Sequence, residues 1–316
     1  MSLTKFPYGI QAAPIVGGSD FAGYFDTKVW WVDGTYGSDD NSGANPTSAF
    51  KTIQKGITSA GSQDTVYIRT LAPDATDLSE PGTYEEDLTI PVAKHGLKLI
   101  GVGGTQTLQP FGGPKIKNAT AVALLTVNAS NVLIKGLQFN CTRNSGLQGI
   151  LLKTSSDYTT AGGCIGTQIV DCYFKNASAS YAAIEIEAGY ACLVSRCTFQ
   201  FSEKSIYLSS NTQPSNGHTI EYCNFKGNNG AAIAEHITVR AGGHEDISID
   251  HCNFDAATSF LSCGGGNSGL ISNCTFADTA ATLANSTGKV AVPAAQTVKV
   301  TGCWGGVSLA VIQSAA

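Results

Sequence analysis

A parallel β-helix is the fold this sequence predicts, and three observations predict it. The first is a repeated string: VLIKGLQF, TQIVDCYF, CLVSRCTF, HTIEYCNF, ISIDHCNF, GLISNCTF and VKVTGCW follow one another between Val132 and Trp304. Aligned, they give three columns. Ile134, Ile169, Val194, Ile220, Ile249, Ile271 and Val300 are all β-branched. Leu137, Cys172, Cys197, Cys223, Cys252, Cys274 and Cys303 form the second column. Phe139, Phe174, Phe199, Phe225, Phe254, Phe276 and Trp304 form the third. Residues two apart in a strand share a face, and a two-residue corner resets the phase. The second observation is the spacing of the copies, roughly 22–35 residues. A unit that short cannot bury its own apolar stripe and must stack on its neighbours, so the columns become interior ladders. The third is composition. With 36 Gly, one Met and 14% charged residues, the chain suits many short strands joined by turns and suits helices poorly.

Three regions are expected: an N-terminal arm over residues 1–27, the β-helix over 28–305 and a C-terminal tail over 306–316. The arm mixes Pro and Gly with scattered apolar residues (Phe6, Tyr8, Ile10, Ile15, Val16). It reads equally as a loose lead-in or as a segment that docks on another protein. Val29, Trp31 and Val32 open the first strand, and DGTYGSDDNSG follows as a long turn. Phe50, Ile53 and Ile57 are spaced as one face of a short helix with Thr47 or Ser48 as its N-cap, placed to cover the exposed first rung. Thr65–Ile68 is a strand, Pro81-Gly82 a turn, and Leu88–Ile90 and Leu97–Leu99 continue the coil. In the tail, Val307, Leu309, Val311 and Ile312 are apolar enough to cover the last rung or pack between subunits.

The net charge of −5 offers no basic stripe for nucleic acid. No apolar run reaches the ~18 residues of a membrane span. The first residues lack a continuous apolar core, so no signal peptide is read there and the expected setting is a host cytoplasm. In that setting six of the ten cysteines in one rung position read as stacked buried thiols acting as small hydrophobes. A metal site would show CxxC or His-rich spacing, and neither occurs. Six Asn-x-Ser/Thr triplets, among them Asn118-Ala-Thr and Asn285-Ser-Thr, read as turn and surface residues.

The runs WWVDGTYGSDDNSGANPTSAFKTIQKGI, DTVYIR, PGTYEEDLTI and GLKLIGVGG resemble the opening of the pectate-lyase-like right-handed parallel β-helix superfamily. With the later rungs, the resemblance covers most of the chain from residue 28. It implies an all-β, right-handed β-helix with a short capping helix, and says little about function, because the superfamily holds polysaccharide lyases, hydrolases, phage tailspikes and non-enzymatic virion proteins. SLTKFPYGIQAAPIVGG is similar to the start of phage virion proteins that carry a β-helix behind an N-terminal arm. That implies attachment to capsid or other virion proteins through residues 1–27, and a homotrimer about the long axis.

Lyases of the superfamily hold Ca²⁺ with clustered carboxylates on one sheet and use a nearby Arg as base. Outward acids on neighbouring rungs are few here. Glu185 and Glu187 alternate with Ile184 and Ile186 and should both face out, about 7 Å apart, a spacing open to an inverting glycosidase or to a plain solvated face. His236, Thr238 and Arg240 should share the outer face opposite Ile237 and Val239, followed by His244, Glu245 and Asp246. Sugar binding or acid–base chemistry is one reading of them, a polar strand with surface ion pairs the other. One rung earlier the outer residues are Ser205 and Tyr207, so the carboxylate pattern of a lyase is missing. Asp39-Asp40-Asn41 reads as an Asx-rich turn more readily than as a Ca²⁺ loop. His95 and His218 read as surface or rung-edge residues, and Gly101–Gly104 lacks the following helix of a phosphate loop. The sequence therefore assigns no catalytic, cofactor-binding or metal residues. It favours a virion structural protein, a capsid decoration or spike, over a tailspike depolymerase or a non-enzymatic protein that binds a surface glycan.

Overall fold

The computed structural model describes residues 27–74, 77–103, 113–117, 123–141, 148–153, 164–175, 181–200, 202, 204–209, 215–226, 235–241, 244–255, 259–264, 266–277, 290–291, 297–305 and 310–312. The arm and most of the tail lie outside them. The described residues form a right-handed parallel β-helix whose coils each contribute to three sheets.

The first sheet has ten strands and runs from Val29–Val32 through Leu133–Lys135 and Leu193–Ser195 to Thr297–Thr301. The second carries the aromatic column, in strands such as Gln138–Asn140, Thr198–Gln200 and Asn253–Asp255. The third runs from Leu88–Ile90 to Val290–Ala291. Pairing is parallel and in register from rung to rung, so Ile134 faces Ile169 and then Val194, and Phe139 faces Phe174 and then Phe199. Like residues therefore lie one strand spacing apart, about 4.8 Å. The second sheet ends in antiparallel pairs on both sides, Leu71–Asp74 with Asp77–Glu85 and Cys303–Gly305 with Ala310–Ile312. That closes a parallel edge that could otherwise recruit another chain. Pro81 and Gly82 lie in one of these strands, at a register shift, rather than in the expected turn.

Six phenylalanines make a continuous stack. From Phe139 to Phe276 the successive centroids are 5.1, 5.0, 4.9, 4.6 and 4.9 Å apart, with interplanar angles of 12° or less. The seventh aromatic does not join it. Trp304 is 45% exposed and pairs with Thr275, while Gly305 pairs with Phe276. The cause is a missing spacer: Trp304 follows Cys303 directly, so it takes the outward position. The third sheet supplies two further interior columns, Ile150, Ile184, Ile206 and Ile237 in one and Leu152, Ile186, Leu208 and Val239 in the other.

The corner between the first two sheets needs a left-handed residue just before the cysteine column. Gly136 and Gly302 supply it on the outer rungs (φ 68° and 60°). Between them Asp171, Arg196, Tyr222, His251 and Asn273 adopt φ of 49–54°. The N–H of each corner residue from Gly136 to Asn273 donates to a carbonyl of the next rung, as Arg196 does to Glu221 at 3.0 Å.

All ten cysteines are free, and the six of the column are buried. Their thiols donate to backbone carbonyls of their own corner and of the preceding rung; Cys197 reaches Ser195 O and Ile169 O, both at 3.5 Å. Burial pushes the Cys192 and Cys263 thiols up to about 12. Thiolate is the reactive form, so these groups are inert while folded. A thiol reagent at neutral pH should modify few of the column cysteines in the native protein and all six in denaturant without reductant; recovery of few thiols in denaturant would show a cross-linked ladder.

The capping helix is Ile53–Ser59, with Ile53, Gly56 and Ile57 on its buried face. Its N-cap is Thr52, not Thr47 or Ser48; those two belong to a separate 3₁₀ turn, Pro46–Ser48, capped by Asn45. Phe50 lies before the helix and bridges to Val32. Glu86 accepts from the N–H groups of Ile53 and Gln54, both at 2.9 Å, which places a carboxylate on the positive end of the helix. Lys94 donates to Thr58 O and Ala60 O at the other end. Gly56 is required by the docking itself, since a Cβ there would sit 2.9 Å from methyls of Val32 and Val66. Among the described residues no helix is long and apolar enough to cross a membrane.

Candidate functional site

The third sheet brings a few of the sequence-derived candidates to one outer strip. Glu185, Tyr207 and Thr238 occupy consecutive rungs in register, with Leu151 before them and Ser262 after. Ile184 and Ile186 point inward on either side of Glu185, which fixes the glutamate outward. Glu185 accepts from Gln148 Nε2 at 2.8 Å. Glu187 lies just past the strand end and pairs with Lys153 at 3.8 Å. Both glutamates face outward as the alternation predicts, but each is held by a different group on the preceding rung. Tyr207 lies beneath Lys204, whose Nζ is 4.7 Å from the ring centroid, and Thr238 donates its hydroxyl to Glu235. Arg240 is exposed beyond the strand end.

His236 is not part of this strip. It is fully buried, with Phe225, Phe254 and Phe260 around it at ring distances of 5.5–6.4 Å. Its Nε2 is 3.0 Å from Asp255 O and its Nδ1 is 3.4 Å from Ser205 Oγ. Nε2 therefore donates to the carbonyl and Nδ1 accepts from the serine. Ser205 is buried as well. In the two strands Lys204–Leu208 and Glu235–Val239 two successive residues are buried, Ser205 with Ile206 and His236 with Ile237, so alternation fails at that point. Burial lowers His236 to about 4, which keeps it neutral and internal.

His218 and His244 are also buried, against the surface positions expected for them. His218 Nε2 lies 2.7 Å from Ser215 Oγ, and His244 Nδ1 lies 3.2 Å from Ser215 O. Burial, with His244 nearby, lowers His218 to about 4. Glu245, Asp246 and His95 are exposed. Asp39 clamps the turn before the helix, accepting from Lys51 N, Thr52 N and the Thr52 hydroxyl at 2.8–2.9 Å. Gly101 lies within the strand Lys98–Val102. Among the described residues no group of three or more His, Cys, Asp or Glu stands together as a metal site.

Chemically, the strip can donate and accept hydrogen bonds to a hydroxyl-rich ligand, but it does not bring two carboxyl groups onto one point. The richer polar grouping lies at the corner between the first two sheets, where Asp250 and His251 are joined at 2.7 Å. Sequence reasoning passed over it, because the residues before the column cysteines share no chemical type.

No protein-family model matches the chain, and no curated protein matches it. Among solved structures, a rhamnogalacturonan lyase superposes with a TM-score of 0.56 at 13% identity, over 79% of this chain and 70% of that one. Pectate lyase Pel9A gives 0.55 at 9% identity, over 80% of this chain and 64% of its own. Geobacillus virus E2 ORF18 gives 0.41 at 13% identity, over 90% of this chain and 62% of its own, too loose a likeness to carry an argument. The two lyases share the fold of this chain, a right-handed parallel β-helix, and at these identities the fold alone.

Proposed function

We propose that this chain is a phage virion structural protein, a β-helical capsid decoration or spike attached through residues 1–27 and assembled as a homotrimer. The observation that carries the reading is where the chain places its reactive residues. His236, the strongest acid–base candidate in the sequence, packs among phenylalanines, and the column cysteines serve as core hydrophobes. The stacked ladders fit a rigid rod, in which each rung is held by its neighbours. The sequence resemblance of the arm to phage virion proteins supports the same reading.

A second reading is a tailspike enzyme acting on bacterial surface polysaccharide. It is favoured by the outward column Glu185–Tyr207–Thr238 and by the polysaccharide-degrading names of the two lyases that share the fold. The two readings separate on purified material. A structural protein is found at fixed high copy number by mass spectrometry of virions, and light scattering gives three times the chain mass. Deletion of residues 1–27 then leaves a folded protein that no longer joins the particle. Glu185→Ala should leave assembly and infectivity unchanged, as surface substitutions shift stability by about 0.5 kcal/mol or less. Reproducible release of oligosaccharide from host envelope material, abolished by Glu185→Ala, would establish the enzyme instead.

A further inference from the structure

The corner between the first and second sheets imposes a left-handed backbone on one residue in each of the seven repeats, and glycine takes that conformation with least strain. Gly136 and Gly302 do so at the ends of the series. On the five rungs between, the chain instead holds Asp171, Arg196, Tyr222, His251 and Asn273 there. For Arg and Tyr this is an uncommon and strained choice. Strain kept at consecutive positions points to a use for the side chains.

Those side chains face solvent in one file. Tyr222 is 50% exposed, and its ring lies 5.0 Å from that of His251 at 24°. Each is braced from its own rung or a neighbouring one. Arg196 makes two bonds to Asp171, at 2.7 and 3.2 Å. Ser195 donates to Glu221 at 3.0 Å. Asp250 accepts from Ser272 at 2.6 Å and Asn273 at 3.0 Å, and binds His251 Nδ1 at 2.7 Å. Although its partial burial works the other way, these hydrogen bonds hold the Asp250 carboxyl below its usual range. With Nδ1 directed at Asp250, the other ring nitrogen of His251 is left for an outside partner.

We propose that this corner is a binding site for a linear, hydroxyl-rich glycan lying along the helix axis, with Tyr222 and His251 at its centre. Three features fit that ligand. Braced aromatic and polar side chains bind with little ordering cost. Within the file the one carboxylate, Asp171, is paired with the one guanidinium, Arg196, which suits a neutral chain better than a polyion. The rungs repeat at about 4.8 Å, close to the length of one sugar ring, so successive sugars can meet successive corner residues. The site is separate from the Glu185–Tyr207–Thr238 strip, and the proposal does not depend on the virion reading, since binding is read on the purified protein.

The test uses the strain itself. Tyr222→Gly and His251→Gly should fold at least as well as the parent, with equal or higher melting temperature, because glycine prefers the corner geometry. Full-length parent and variants are assayed against immobilised bacterial capsular and O-antigen polysaccharides. The expected result is retention of one or more of them by the parent, a loss of 10-fold or more in affinity in each glycine variant, and unchanged affinity in Tyr207→Ala. A parent that retains none of the panel overturns the proposal, and so does a retained glycan that both glycine variants bind as well as the parent. Loss of binding only in Tyr207→Ala would move the site to the third sheet.

Discussion

Phe199→Ala is expected to destabilise the protein by about 3–5 kcal/mol, the range for emptying a large aromatic site in a packed core. Phe199 is fully buried and stacks on Phe174 at 5.0 Å and on Phe225 at 4.9 Å. Each lost ring pair adds about 0.5–1.5 kcal/mol beyond burial, which places the change at the upper end. Rungs of a solenoid are stabilised by their neighbours, so a void in the middle of the stack also weakens coupling between the two halves. Urea unfolding should therefore show a lower midpoint and a broader transition. Trp304→Ala is the internal comparison. As the seventh member of an aromatic column it would cost as much; as the exposed residue found here it should cost about 0.5 kcal/mol or less. A loss below 1 kcal/mol for Phe199→Ala would mean that the stack closes over the gap and is not rigid.

The contrast between Phe199 and Trp304 also shows how far the sequence could be read. The Ile134 and Cys172 columns were legible through seven coils, and the Phe139 column through six, because the two-residue corner has constant length and one alignment carries them. At Cys303-Trp304 the spacer after the cysteine is missing, and a shift of one moves a side chain to the opposite face. The interior columns of the third sheet, such as Ile150, Ile184, Ile206 and Ile237, were not legible as columns, because segments of unequal length separate them from the repeat. His236 was misplaced for a related reason. Alternation from Ile237 back to His236 assumes a strict two-residue period, and the strand breaks it there, burying both residues. The Asp250–His251 corner was hidden differently. Its residues share no chemical type, and only the backbone conformation they hold in common marks them as one column.

Acidification should destabilise this protein well before its carboxylates are protonated. His218 and His236 are fully buried and lowered from 6.5 to about 4, chiefly by desolvation. Each is neutral in the fold, whereas the unfolded chain takes up a proton near pH 6.5. The stability they contribute is thus complete above pH 6.5, is lost as pH falls toward 4, and is gone below that. A shift of about 2.5 units corresponds to about 3 kcal/mol per histidine, with about 2 kcal/mol each already lost by pH 5. Two such groups approach the whole stability of an ordinary domain. Asp171, held low by the Arg196 guanidinium, and Asp250 act in a separate window, because their folded values lie below the ordinary carboxylate range; their contribution falls away only below about pH 4. The urea midpoint measured from pH 8 to pH 4.5 should fall steeply below pH 6.5. In His236→Gln, which is uncharged at every pH, the curve should start lower at pH 8 and fall with about half the slope. A parent midpoint that stays flat to pH 4.5, or a His236→Gln curve parallel to that of the parent, would show that His236 is not the buried neutral group found here.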